Sequence, residues 1–273
     1  MKYYYLISSL PKLAIDDGSL SCDQLDDIIE LITQNLTDDD LDVMKCLLHK
    51  NDNQNLLFVL FHEYHDFEIR FFNQPSSVPV EILENYRREF SSLPDYMMNY
   101  LNDLSSSFSA MTMREMEQNL NQYFYDHLLN KNSLFLNTYF SWIFQLEQTI
   151  SRLNLKSFPF LVTKDESKEL FFPKIQTLHD LTEQKEIANQ IQPLIASKDV
   201  EGIERKINQY HWQFAASWQD AFSADQVFAY MVKLIRLYRW RRFSSKGETA
   251  RTDFEKLIAE ILEKRSSPKM PVI

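Results

Sequence analysis

Apolar residues recur at helical spacing along most of the chain. Leu25, Ile28, Ile29 and Ile32 share one helix face, and Ser21 with Gln24 supplies the capping box that opens it. Thr37 with Asp40 opens a second helix carrying Leu41, Met44, Leu47 and Leu48, and a third runs from Leu56 to about Phe72. Pro75 and Pro79 mark a break, with Pro79 suited to the first turn of a helix that holds Ile82, Leu83 and Tyr86. Pro94 starts another through Tyr96 and Leu104, and the serines at 105–109 read as a polar linker. Thr112 and Glu115 form a second capping box, before Met116, Leu120, Tyr123, Phe124 and His127. The helix at 134–154 is apolar around most of its circumference, which predicts a central position.

Residues 157–173 contain SFPF and FFP and predict a loop or extended interruption. A helix from about Asp180 carries Pro193, where a kink belongs. Asp199 caps the next helix, and Ser223 with Gln226 caps a basic one. On that basic helix Val227, Met231, Leu234, Ile235 and Tyr238 face the core while Arg236, Arg239 and Arg242 point outward. A last helix at 249–265 bears Phe254, Leu257, Ile258, Ile261 and Leu262. The pattern predicts an all-α fold, a multi-helix bundle or funnel of about ten or more helices, with at most a minor strand element near 1–10 or 157–173. The serine stretch divides it into an N-terminal helical region, 1–108, and a C-terminal one, 109–273, or the two form one continuous domain.

Composition narrows the function. The 273 residues include three glycines, Gly18, Gly202 and Gly247, where average usage supplies about nineteen. A dinucleotide-binding turn, a P-loop and a nucleophile elbow all need glycine for positive φ or close approach to a ligand, and none can be written with these three. Cys22 and Cys46 form no disulfide framework and read as reduced thiols. The opening apolar run stops at Pro11, too short for a signal peptide, and no stretch approaches the ~20 apolar residues of a membrane span. A net charge of −10 argues against nucleic acid as a partner.

The charge is also segregated. Between Lys12 and Lys45 lie ten acids and no base, among them Asp23, Asp26, Asp27, Asp38 and Asp39. Between Asp225 and Glu248 lie Lys233, Arg236, Arg239, Arg241, Arg242 and Lys246 and no acid. Either the two regions meet each other, or each meets a partner of opposite sign, or both are solvated helix faces.

Candidate chemistry is sparse. HEYHDFE at 62–68 sets His62 and His65 one helical turn apart, but zinc peptidases use a spacing of four, and no second Glu-x-x-His copy supplies the remaining ligands. Met97, Met98, Met111, Met113 and Met116 read as core before groove, and Trp142, Trp212, Trp218 and Trp240 as core before interface anchors. No nucleophile and base share a defensible spacing. Hence no residue is assigned a catalytic, cofactor-binding or metal-ligating role, and Arg236, Arg239, Arg242, Asp23, Asp26, Asp27, Asp38 and Asp39 stand as candidate interface residues.

Three segments carry a resemblance: YYYLISSLP at 3–11, DVEGIERKIN at 199–208, and YMVKLIRLYRW at 230–240 followed by Gly247, Phe254, Leu257 and Ile258. They resemble an uncharacterised helical family whose genes lie beside those of V-type (A/V-type) ATPases in some bacterial groups. That family is similar to the C-type component of the A/V-type ATPase, called d-type in vacuoles, an all-helical funnel of three related domains. The funnel sits on the membrane rotor ring and receives the central shaft. The present chain is shorter, and its helix pairs form no clean threefold repeat. The resemblance implies a non-catalytic central-stalk connector without cofactors. Its partners would be the shaft and rotor-ring proteins, and its location cytoplasmic, peripheral to the inner membrane through the complex. The alternative from a different class is a free-standing cytosolic helical scaffold that binds a protein or peptide.

Overall fold

The computed structural model of the chain describes residues 2–15, 20–131, 133–157, 181–218 and 222–245. These form ten α-helices and two short 3-10 turns, and no strand occurs among the described residues. The helices are α1 (Tyr4–Ser9), α2 (Cys22–Asn35), α3 (Asp38–His65), α4 (Val80–Glu84), α5 (Asp95–Leu104), α6 (Met113–Leu129), α7 (Leu134–Ser157), α8 (Leu181–Ala196), α9 (Val200–Ala216) and α10 (Ala224–Ser245). The strand expected near 1–10 is instead the first helix. Of the interruption expected at 157–173, Ser157 instead closes α7, and the rest, like the helix expected at 249–265, lies outside the described residues.

Local rules set several helix starts. Both capping boxes are present, Ser21 with Gln24 on α2 and Thr112 with Glu115 on α6, each side chain accepting from or reaching back to the backbone of the other. Asp199 caps α9 by accepting from the Gly202 amide at 2.8 Å. A Cβ on Gly202 would collide with Asp199 Oδ2 and lie 3.1 Å from Leu194 Cδ2. The glycine inside this helix is thus the space into which the capping carboxylate folds.

The largest departure from the sequence pattern is α3. Two helices are expected across 37–72, separated near 49–55, whereas the structure has one helix of 28 residues ending at His65, with Asp66 in the left-handed region (φ 52°). His49, Asp52, Asn53 and Asn55, in the polar stretch that reads as a break, are buried within the helix. The serine stretch also departs from expectation. It forms a 3-10 turn, and Phe108 beside it is fully buried, its ring 5.6 Å from Tyr64 and 5.3 Å from Tyr100.

Helix α3 is the spine, packing against α4, α6, α7 and α10, and α10 in turn packs against α2 and α9. The N-terminus is tied to the last described helix. The Tyr3 amide donates to the Phe222 carbonyl at 3.2 Å, Tyr230 Oη to the Pro11 carbonyl at 2.8 Å, and Arg241 Nε to the Leu20 carbonyl at 2.8 Å. An aromatic core joins the later helices, with Phe135, Tyr139 and Trp142 of α7 against Phe214 of α9. Met97 and Met116 are fully buried, as the core reading of the methionines expects, while Met113 is exposed at the first turn of α6. No helix among the described residues is long and apolar enough to cross a membrane.

Candidate functional site

The basic helix α10 spends its arginines inside the chain. Val227, Met231, Leu234 and Tyr238 are buried as the periodicity expects. Arg236 does not point outward. Its side chain is largely buried, with Nε donating to Asn208 Oδ1 at 3.3 Å and a terminal nitrogen 3.7 Å from Glu204 Oε2, both on α9. The reason is that α10 is covered by α2, α3 and α9 together, so more than one stripe of it is removed from water. Burial, reinforced by the neighbouring Arg239, pulls the Arg236 guanidinium down to about 10, and Glu204 opposes this. Arg239 is half exposed and grips the same Glu204 with two bonds, 2.6 and 3.2 Å. The side chain of Arg242 lies outside the described residues.

The acidic region keeps its charge on the surface. Asp23, Asp26, Asp27, Asp38 and Asp39 are all exposed, and none has an ion-pair partner among the described residues. An internal pairing of these acids with the arginines of α10 therefore does not hold among those residues; Arg236 and Arg239 pair instead with Glu204. Among the described residues helix α2 packs against α10, and Tyr238 donates to Asp26. Burial and the adjacent Asp23 and Asp27 push the Asp26 carboxyl up against that bond. Asp38, Asp39 and Asp40 stand in the first turn of α3, where the helix dipole favours negative charge. Of these, Asp40 alone is satisfied internally, accepting from Lys2, Tyr3 and Thr37. Burial raises its carboxyl, but those bonds outweigh burial and hold it below the usual range.

A buried polar centre is the feature that sequence spacing does not reveal. The polar stretch of α3 clasps the loop at 73–78. Asn55 Nδ2 donates to the Asn73 carbonyl at 2.9 Å and its Oδ1 accepts from the Asn73 amide at 2.6 Å, while Asn51 Nδ2 donates to the Pro75 carbonyl at 2.8 Å. Asp52 is fully buried. Its Oδ1 accepts from Ser76 Oγ (2.5 Å) and from the Ser77 and Val78 amides (3.0 and 3.3 Å), and its Oδ2 accepts from Ser77 Oγ (2.5 Å) and His49 Nδ1 (3.0 Å). Serine, histidine and aspartate thus meet, but not as a hydrolytic triad. Ser77 Oγ and Asp52 share the same histidine nitrogen, so the serine has no base on the imidazole's far side.

Next to this centre, ligand atoms of Cys46, His49 and His127 lie within 4.8 Å of one another. Burial pushes the Cys46 thiol up to about 11. Burial, then Lys131 and His49, bring His127 down to about 4, against Asp95 and Asp42. His62 and His65 join no comparable group among the described residues. His62 Nδ1 is engaged by the Phe67 carbonyl at 2.9 Å, and the His65 ring lies edge-on to Phe61.

His211, buried on α9, shares a hydrogen bond of 3.1 Å with Tyr139 Oη and stands edge-on to Trp142. Burial foremost, then the positive charges of Arg236, Lys50 and Arg239, hold its imidazole well below its ordinary value. In the unfolded chain it titrates near 6.5. Above that pH both states are neutral and stability is unaffected. Below it the unfolded state binds a proton that the folded state refuses, so stability falls by about 1.4 kcal/mol per pH unit for this residue. Urea unfolding at pH 7.5 and 5.5 is expected to show that loss in the wild type and a shallower slope in His211→Gln; equal slopes would mean that His211 does not carry the effect.

A family model described as "Protein of unknown function (DUF2764)" matches residues 1–264, and the chain belongs to that family. Comparisons with curated proteins and with solved structures give no match.

Proposed function

We propose that this family member is a non-catalytic connector of the central stalk of a rotary V-type ATPase, linking the soluble shaft to the membrane rotor ring. The reading rests on the resemblance of its two ends to the helical family found beside A/V-type ATPase genes. An all-helical body with few glycines suits it, because a torque-bearing part must resist shear while its contacts stay in register. The observation that carries it furthest is the asymmetry of charge satisfaction. Arg236 and Arg239 share an internal partner, Glu204, whereas Asp23, Asp27, Asp38 and Asp39 are left to solvent. An acidic face of this kind attracts a shaft or ring loop rich in Lys and Arg and rejects surfaces of its own sign.

The test is co-purification with the ATPase shaft and ring proteins over a salt series. The wild type is expected to associate in a salt-sensitive manner. The quadruple change of Asp23, Asp27, Asp38 and Asp39 to Asn is expected to weaken association on the order of tenfold and to flatten the salt dependence. Asp26 is left intact because Tyr238 uses it. Association with an unrelated protein or peptide, and none with the ATPase, would favour the free-standing scaffold instead.

A further inference from the structure

We propose that Cys46, His49 and His127 form a binding site for a zinc-class divalent cation, seated between α3 and α6 and independent of the acidic face. Cys46 and His49 are one turn apart on α3, and His127 comes from the last turn of α6, which packs against α3. The Cys46 thiol, which gives up its proton to solvent as the metal binds, and two neutral imidazoles make the donor set that borderline-soft cations prefer, and three protein ligands leave a fourth position open. Tetrahedral Zn–N and Zn–S bonds of about 2.0 and 2.3 Å put the donor atoms roughly 3.3–3.6 Å apart. The donors here, within 4.8 Å, need to close by about 1 Å, which side-chain rotation supplies once the Cys46 thiol leaves the Asp42 carbonyl it meets at 3.4 Å.

The second observation is the support behind His49. A metal-ligating histidine characteristically donates its other ring N–H to a carboxylate, which fixes tautomer and ring orientation. His49 Nδ1 does this to Asp52, and Asp52 is itself immobilised by two serine hydroxyls and two backbone amides. A carboxylate only accepts, so Nδ1 carries the hydrogen and Nε2 is left as the ligand atom. The Tyr96 ring, 5.4 Å from His49 and 5.1 Å from His127, walls the site. Cys46 and His49 are buried, and half-buried His127 gives the route from solvent. Lys131 stands nearby, with Asp42 3.8 Å from its ammonium to offset the charge.

The test is titration of the chelator-treated full-length protein with Co²⁺ and Zn²⁺. The expected result is one equivalent bound, with the visible bands of tetrahedral cobalt, a sulfur-to-cobalt charge-transfer band, and a raised thermal midpoint on adding zinc. Cys46→Ser is expected to lose the charge-transfer band, and His127→Gln to bind on the order of a hundredfold more weakly and to lose the zinc-dependent rise. Cys22→Ser, which removes the other thiol, keeps the wild-type spectrum. No stoichiometric uptake by the wild type overturns the proposal, and so does a wild-type spectrum in His127→Gln. Because His127 is not fully buried, that variant decides the matter even where Cys46→Ser fails to fold.

Discussion

Asp52→Ala is expected to lower the unfolding free energy by about 3–5 kcal/mol, because it takes the acceptor from several buried or part-buried donors at once. The carboxylate accepts five hydrogen bonds, three of them on one oxygen, and its side chain is closed to solvent. Ser76 can fall back on the Val78 carbonyl, which its hydroxyl already meets at 2.7 Å. The Ser77 and Val78 amides have no such second acceptor among the described residues, and each buried donor left bare costs about 1–3 kcal/mol. Asn51→Ala, which removes one bond to the same loop, is expected to cost about 1 kcal/mol. Urea midpoints with an unchanged slope measure both. A loss below about 1 kcal/mol for Asp52→Ala would mean that the loop at 73–78 does not depend on the clasp.

That clasp also marks where sequence reading stops. Ser21 with Gln24, Thr112 with Glu115, and Asp199 announce their helices because a cap is satisfied within three residues of itself. The polar stretch at 49–55 carries the opposite local signal. A run of Asn, Asp and His reads as a solvated break unless it is known that a loop some twenty residues later brings its bare backbone groups to them. The same logic explains Arg236. A hydrophobic stripe predicts one buried face, and that rule serves Leu234 and Tyr238, but α10 is contacted by three helices and its arginine face is partly covered too. The local charge of α10 gave no warning that Glu204, on the preceding helix, answers both Arg236 and Arg239. The candidate metal ligands were hidden for a related reason. Cys46 and His49 are close in sequence, but His127 reaches them only through the packing of α6 on α3, whereas the adjacent His62 and His65 advertise a spacing that the fold does not use.

Phe135→Ala is expected to cost about 3–5 kcal/mol, the range for truncating a fully buried aromatic ring without collapse of the cavity. Phe135 has no exposed surface, and its ring centroid lies 5.0 Å from Trp218, 5.8 Å from Phe228, 5.9 Å from Tyr139 and 6.1 Å from Phe214. Those rings belong to α7, α10, and α9 with the turn that follows it, so one side chain joins three of the four later helices. Its neighbour Leu134 is 71% exposed and serves as the internal control, with Leu134→Ala expected within about 0.5 kcal/mol of the wild type. The contrast has a functional consequence. On the proposed connector role, torque would pass only if the α9 and α10 pair moved with α7 as one piece, and an aromatic joint is stiff because its rings interdigitate at crystalline density. If Phe135→Ala leaves stability within about 1 kcal/mol of the wild type, the aromatic cluster is not what holds these helices together. In that case the rigidity on which the proposed connector role relies must come from other contacts, such as Glu204 with its two arginines and Lys233 over Trp212 between α9 and α10, and Tyr139 with His211 between α7 and α9.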